Sequence, residues 1–67
     1  MMYRDKTGRL YCVNAQELHG LRMYKAFYKT PRYKDWYAVN SLEWRRSCRE
    51  AEADLAAYAG KHNMEKV

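Results

Sequence analysis

NAQELHGLRMYKAFYK, Asn14 to Lys29, can be read in two ways, and the two readings make different proteins. As a helix, Asn14 followed by Glu17 has the spacing of a capping box, and Ala15, Leu18, Leu21 and Tyr28 share a face with Arg22 and Lys25. Gly20 then falls in the helix interior, at a cost of about 1 kcal/mol relative to alanine. As strands, His19-Gly20 becomes a two-residue turn, and LRMYKAFYK supplies the aromatic content that suits a pleated surface. The hairpin is the preferred reading. It sets Leu21, Met23, Lys25, Phe27 and Lys29 on one side of a sheet and Arg22, Tyr24, Ala26 and Tyr28 on the other, without saying which side is covered.

Upstream, YRDKTGRLYCV has an Asp-Lys-Thr-Gly centre between two apolar, tyrosine-bearing runs. Asp5 can cap such a turn and Gly8 can take the left-handed conformation that closes it, which predicts strands at about 2–5 and 9–13. Downstream, Thr30 and Pro31 end the strand, because proline has no N–H to give a ladder and restricts the residue before it. PRYKD reads as a loop and WYAVN as a further short strand. Asn40 with Glu43 then predicts the start of a helix, LEWRRSCREAEADLAAYA contains no glycine or proline, and Gly60 stands where a terminating residue belongs. At 100° per residue, Trp44, Cys48, Ala51, Leu55, Tyr58 and Ala59 form one apolar stripe, with Arg45, Arg46, Arg49, Glu50 and Asp54 away from its centre. Arg46 and Glu50 are spaced as an ordinary helical ion pair. Residues 61–67 read as a frayed tail. The expected fold class is α+β: one domain over 1–67, with a small antiparallel sheet of three to four strands within about 2–40 packed on one long C-terminal helix over about 41–60.

A chain of 67 residues lies near the lower limit for a core held without disulfides or metal. There is no isoleucine, and valines and leucines are few, so seven tyrosines, two tryptophans and Phe27 must carry much of the burial. Tyrosine needs its hydroxyl wet or paired, which places many of these rings at the core's edge. Arg4, Asp5 and Lys6 interrupt any apolar run near the amino terminus, and no stretch reaches the roughly 18 apolar residues of a membrane span. The expectation is a soluble cytoplasmic protein without a membrane partner, whose Cys12 and Cys48 are free thiols.

No catalytic constellation is visible. His19 and His62 fall in a turn and beyond the helix, away from any serine or cysteine in a dyad or triad spacing. Cys12, His19, Cys48 and His62 lack the close ligand pairs of a structural zinc site, so no metal or other cofactor is expected, and the chain reads as a non-enzyme. What remains is charge and aromaticity. The net charge of +5 resides entirely in residues 1–40, since residues 41–67 balance. FYKTPRYKDWYAVN, Phe27 to Asn40, alternates rings with cations, and a single helix can cover only one face of a sheet. The other face is left to grip phosphates with cations and to stack or pack with rings. The candidate phosphate contacts are Arg22, Lys25, Lys29, Arg32 and Lys34, and the candidate packing or stacking rings are Tyr24, Tyr28 and Tyr33.

The order of strands closed by tight turns, a basic sheet and then a helix bearing REAEADLAAYA resembles the amino-terminal arm-DNA-binding domain of phage and transposon integrases. The resemblance implies a three-stranded sheet that enters the major groove with the helix behind it, and transfers no individual site residue. It joins the charge pattern in pointing to a small DNA-binding module of phage or mobile-element type. A second class stands beside it: a protein-interaction module, accessory subunit or small inhibitor that meets an acidic protein partner, because Tyr, Trp and Arg also anchor protein interfaces.

Overall fold

The computed structural model describes all 67 residues as β1 (Met2–Arg4), β2 (Leu10–Leu18), β3 (Leu21–Lys29), β4 (Tyr37–Ala38), α1 (Cys48–Lys61) and β5 (Glu65–Lys66). Asn14 to Lys29 belongs to a hairpin. β2 and β3 pair antiparallel from Leu10 opposite Lys29 to Leu18 opposite Leu21, and His19 (φ 53°) and Gly20 (φ 79°) make the turn. Positive φ at both central residues matches a two-residue turn to the twist of its strands.

The first turn follows its sequence chemistry. The Asp5 carbonyl accepts from the Gly8 N–H at 3.0 Å, and Gly8 has φ 90°. Asp5 Oδ1 accepts from the Thr7 N–H at 2.9 Å, the Thr7 hydroxyl at 2.6 Å and the Arg9 N–H at 3.0 Å, while Oδ2 accepts from the Tyr11 hydroxyl at 2.9 Å.

The sheet has five strands in the order β4-β3-β2-β1-β5, all antiparallel, one more than the upper end of the expectation. The extra strand is the tail, which does not fray. The helix ends in a Schellman arrangement: Asn63 takes φ 54°, its N–H donates to the Gly60 carbonyl at 3.3 Å, and the Met64 N–H donates to the Ala59 carbonyl at 2.9 Å. Met64 packs against the core, and Glu65 and Lys66 then pair with Arg4 and Tyr3. Asn63, not Gly60, is therefore the left-handed terminator.

The helix also starts later than expected. Its 14 residues begin at Cys48, with Ser47 as N-cap and Ser47 Oγ accepting from the Glu50 N–H at 3.1 Å. Ser47 and Glu50 have the same capping-box spacing as Asn40 and Glu43. Tertiary pairing selects between them: the Tyr24 N–H donates to the Arg45 carbonyl and the Arg45 N–H to the Tyr24 carbonyl, both at 2.7 Å. A residue whose N–H and C=O both serve a strand cannot also serve a helix. Of the expected apolar stripe, Ala51, Leu55 and Ala59 are buried and Tyr58 is half-buried, whereas Cys48 is exposed and Trp44 precedes the helix. Arg45 reaches onto the helix, its guanidinium meeting Asp54 through Nε at 2.7 Å and Nη2 at 3.2 Å. The Arg46–Glu50 pair is not made.

The core lies between α1 and one sheet face. Tyr11, Ala26, Val39 and Leu55 form its centre, with Tyr3, Val13, Tyr28, Leu42, Tyr58 and Met64 around them. The register aligns Tyr3, Tyr11, Tyr28 and Tyr37 in one row across four strands. Tyr11 and Tyr28 rings lie 5.9 Å apart, Tyr28 and Tyr37 6.0 Å, and Tyr58 of the helix meets Tyr11 at 6.1 Å. The row thus runs from Tyr11, buried at the core's centre, through the flanking Tyr3 and Tyr28 to Tyr37, which is exposed on the edge strand.

Candidate nucleic-acid interface

Side chains alternate across a sheet, so the core residues Tyr11 and Ala26 identify the helix-covered face and their neighbours identify the other. On that distal face β2 presents Leu10, Cys12, Asn14, Gln16 and Leu18, and β3 presents Leu21, Met23, Lys25, Phe27 and Lys29. Neither strand places a carboxylate there, because Glu17 falls on the helix side.

No helix covers the distal face, yet part of it is sheltered. After β4 the chain returns along the β3 edge, with the Val39 N–H donating to the Ala26 carbonyl at 3.0 Å before the Tyr24–Arg45 pairing. That return lays Trp44 over the face. Its ring meets Phe27 edge-on at 5.9 Å, and the Lys25 Nζ lies 5.4 Å from its centroid. Trp36 plays the same part at the other end, with the Lys29 Nζ at 5.6 Å from its ring. Both contacts are cation–π pairs, which hold an ammonium by the ring's quadrupole and leave its charge unneutralised. Lys25 is 7% exposed and Phe27 5%, so their stems form a small secondary core. The distal face thereby has a fixed aromatic-lysine border along its β4 side and half-buried or exposed apolar residues toward Leu18 and Leu21.

The eight residues singled out from the sequence do not share a surface. Lys25 and Lys29 lie on the distal face. Arg22, Tyr24 and Tyr28 lie on the helix side, where Arg22 Nε donates to the Tyr24 hydroxyl at 3.3 Å and Tyr28 is held in the tyrosine row with the Arg9 guanidinium 5.1 Å from its centroid. Arg32, Tyr33 and Lys34 are exposed in the loop between β3 and β4. Trp36 and Trp44 were not among the eight. Trp44 was hidden by its fit to the helical stripe, and the signal that releases it is the Ser47–Glu50 capping box, which moves the helix start beyond it.

Burial pushes the Cys12 thiol up, so on the distal face it is a protonated, packed group. No cluster of three or more His, Cys, Asp or Glu side chains that could hold a metal ion is present, and no helix is long and apolar enough to cross a membrane.

The arrangement is a small α+β domain with one sheet face under a helix and the other partly sheltered by Trp44 and Trp36 of the returning chain, with no helix over it. No family model, curated protein or solved structure matches the chain.

Proposed function

We propose that the protein is a small DNA-binding module that engages its partner through the distal sheet face. The observation that carries this reading is the combination on one helix-free surface of Lys25 and Lys29 seated on Trp44 and Trp36, with no carboxylate on the β2 and β3 positions between. Lys29, held against the Trp36 ring without an acid partner, is open to phosphate oxygens, the buried Lys25 holds Trp44 in place, and the two rings offer flat apolar surface to sugars or bases. Because the lysine positions are set before binding, little side-chain entropy remains to be lost on contact.

The test is titration of a short DNA duplex, and of one of its strands, at about 50 mM salt, where such binding is strongest. Affinity is expected to fall steeply with salt, and amide shifts are expected at Met23–Lys29 and around Trp36 and Trp44. Replacing Lys29 by Gln should reduce the slope of log affinity against log salt by about 0.9 on duplex, the contribution of one phosphate contact. An unchanged spectrum with both DNAs at that salt sinks the reading.

A protein partner is favoured by a different observation. β1 covers β2 only at Leu10–Cys12, leaving Val13–Leu18 without a neighbouring strand on that side. The alternation fixed by Asp5 N–H bonding to the Arg9 carbonyl directs the N–H and C=O groups of Ala15 and Glu17 to this open edge. Such an edge can accept a strand from another chain. Light scattering on the isolated protein tests the simplest form, self-pairing, and a monomer at high concentration removes it.

A further inference from the structure

At the end of the sheet opposite the His19-Gly20 turn, the β1–β2 turn faces the loop that leaves β3. Between them is an open cleft of about 390 Å³ lined by Thr7, Arg9, Thr30, Pro31, Arg32 and Tyr33. Gly8 fixes the approach of the two walls. Its φ of +90° disfavours any side chain, and a Cβ there would lie 3.1 Å from Pro31 Cγ.

Two arginines line this cleft and no carboxylate does. Neither Arg9 nor Arg32 forms a salt bridge, since both of the chain's ion pairs are made by Arg45. Arg9 is positioned by the Tyr28 ring, with the Tyr11 hydroxyl and, more distantly, the Asp5 carboxylate favouring its charged form. Asp5, the acid closest to Arg9 in sequence, commits its oxygens to Thr7, Arg9 N–H and Tyr11 within the turn. The Thr30 hydroxyl is buried and has no hydrogen-bond partner in the chain. Tyr33, 61% exposed, adds a second hydroxyl at the mouth. Two forked donors that form no ion pair, and one free phenol at the mouth, suit an oxyanion with several acceptor oxygens.

We propose that this cleft binds a phosphate group, with Arg9 and Arg32 as its charged donors and the exposed Tyr33 as a hydroxyl donor. The same chemistry serves a free or terminal phosphate and one phosphate of a nucleic-acid backbone, and only the second source rests on the function proposed above.

The test is a ¹H–¹⁵N titration with inorganic phosphate against a chloride buffer of equal ionic strength. Saturable shifts are expected at Thr7, Gly8, Arg9, Thr30, Arg32 and Tyr33, with affinity about tenfold or more lower in Arg32→Gln and in Arg9→Gln. Arg32 is exposed and makes no contact that holds the fold, so Arg32→Gln remains informative if Arg9→Gln disturbs the Tyr28 contact. Shifts spread over all surface cations, or unchanged affinity in Arg32→Gln, overturn the site. A DNA strand without terminal phosphates is then added to the phosphate-loaded protein. Displacement of phosphate assigns the cleft to the backbone, while phosphate retained with no DNA bound keeps the cleft for a small phosphate ligand and removes the DNA reading. DNA bound equally by wild type and Arg32→Gln, with no phosphate binding, removes the cleft alone.

Discussion

Asp5 shows how one short side chain organises a turn in a protein with little core. Burial raises its carboxyl, but the hydrogen bonds from Thr7, Tyr11 and Arg9 outweigh that and hold it below its ordinary value of 3.8. A depressed folded-state value contributes stability that is present above the unfolded value and is lost as pH falls through the folded one. Stability is therefore expected to decline below about pH 4, and Asp5→Asn should flatten that acid limb in denaturant titrations repeated across pH. Its partner behaves oppositely. Burial and the bond to Asp5 push the Tyr11 hydroxyl up to about 12, so its contribution is full below pH 10 and disappears as pH rises toward 12. Tyr11→Phe removes the bond and should cost about 1–2 kcal/mol at neutral pH. A chemical-denaturation midpoint equal to wild type would mean that the bond adds nothing.

At the scale of the element, the helix boundaries separate two capping boxes of equal spacing. Ser47→Ala is expected to destabilise the protein by about 1 kcal/mol, whereas Asn40→Ala should leave helix stability unchanged. Urea midpoints of the two variants check this directly, and the reverse order would restore a helix start near residue 41. At the other end Asn63 is left-handed, so Asn63→Ala should cost about 1 kcal/mol and Asn63→Gly should be tolerated. The tail depends on this turn, because Met64 reaches the core and Glu65–Lys66 reaches β1 only when the chain reverses at Asn63. A chain ending at Lys61 is expected to melt about 5 °C or more lower, as a loss of only 1 kcal/mol shifts a domain of this size by 4–8 °C.

For the whole molecule, scarcity of core sets the margin. Eight of 67 residues are buried, and the only large side chain with no exposure is Leu55. Leu55→Ala is expected to cost about 2–5 kcal/mol, comparable to the whole stability of a domain below 70 residues, and far-ultraviolet circular dichroism should report a largely unfolded chain at 25 °C. The two faces of the sheet share the remaining burden unequally. The helix face carries the tyrosine row and Leu55, and the distal face has only the Trp44–Phe27–Lys25 packing and the Trp36–Lys29 contact. A face stabilised this lightly can present rings and cations without first breaking the fold.

The hairpin about His19-Gly20 within residues 14–29, the Asp5–Gly8 turn and a helix carrying Ala51, Leu55 and Ala59 were legible in the residues themselves, because turn chemistry and apolar period act over a few positions; that 9–13 and 14–18 run on as one strand, Leu10–Leu18, was set by its continuous pairing with β3. So was the division of β3 into its two sets of alternating side chains. Which set the helix covers was not legible, since Arg22, Tyr24, Ala26 and Tyr28 are no more apolar than Leu21, Met23, Lys25, Phe27 and Lys29. Tertiary structure resolved that choice by burying Ala26, the small residue over which Leu55 and Tyr11 can close, and thereby placed Tyr24 and Tyr28 under the helix and Lys25 and Lys29 away from it. It also set the helix start, because the bonds between Tyr24 and Arg45 join residues 21 positions apart and no local pattern encodes them. Local chemistry determined the hairpin, the first turn and the helix body; long-range backbone pairing and the volume beneath one helix added β5 and decided where the elements begin and which way they face.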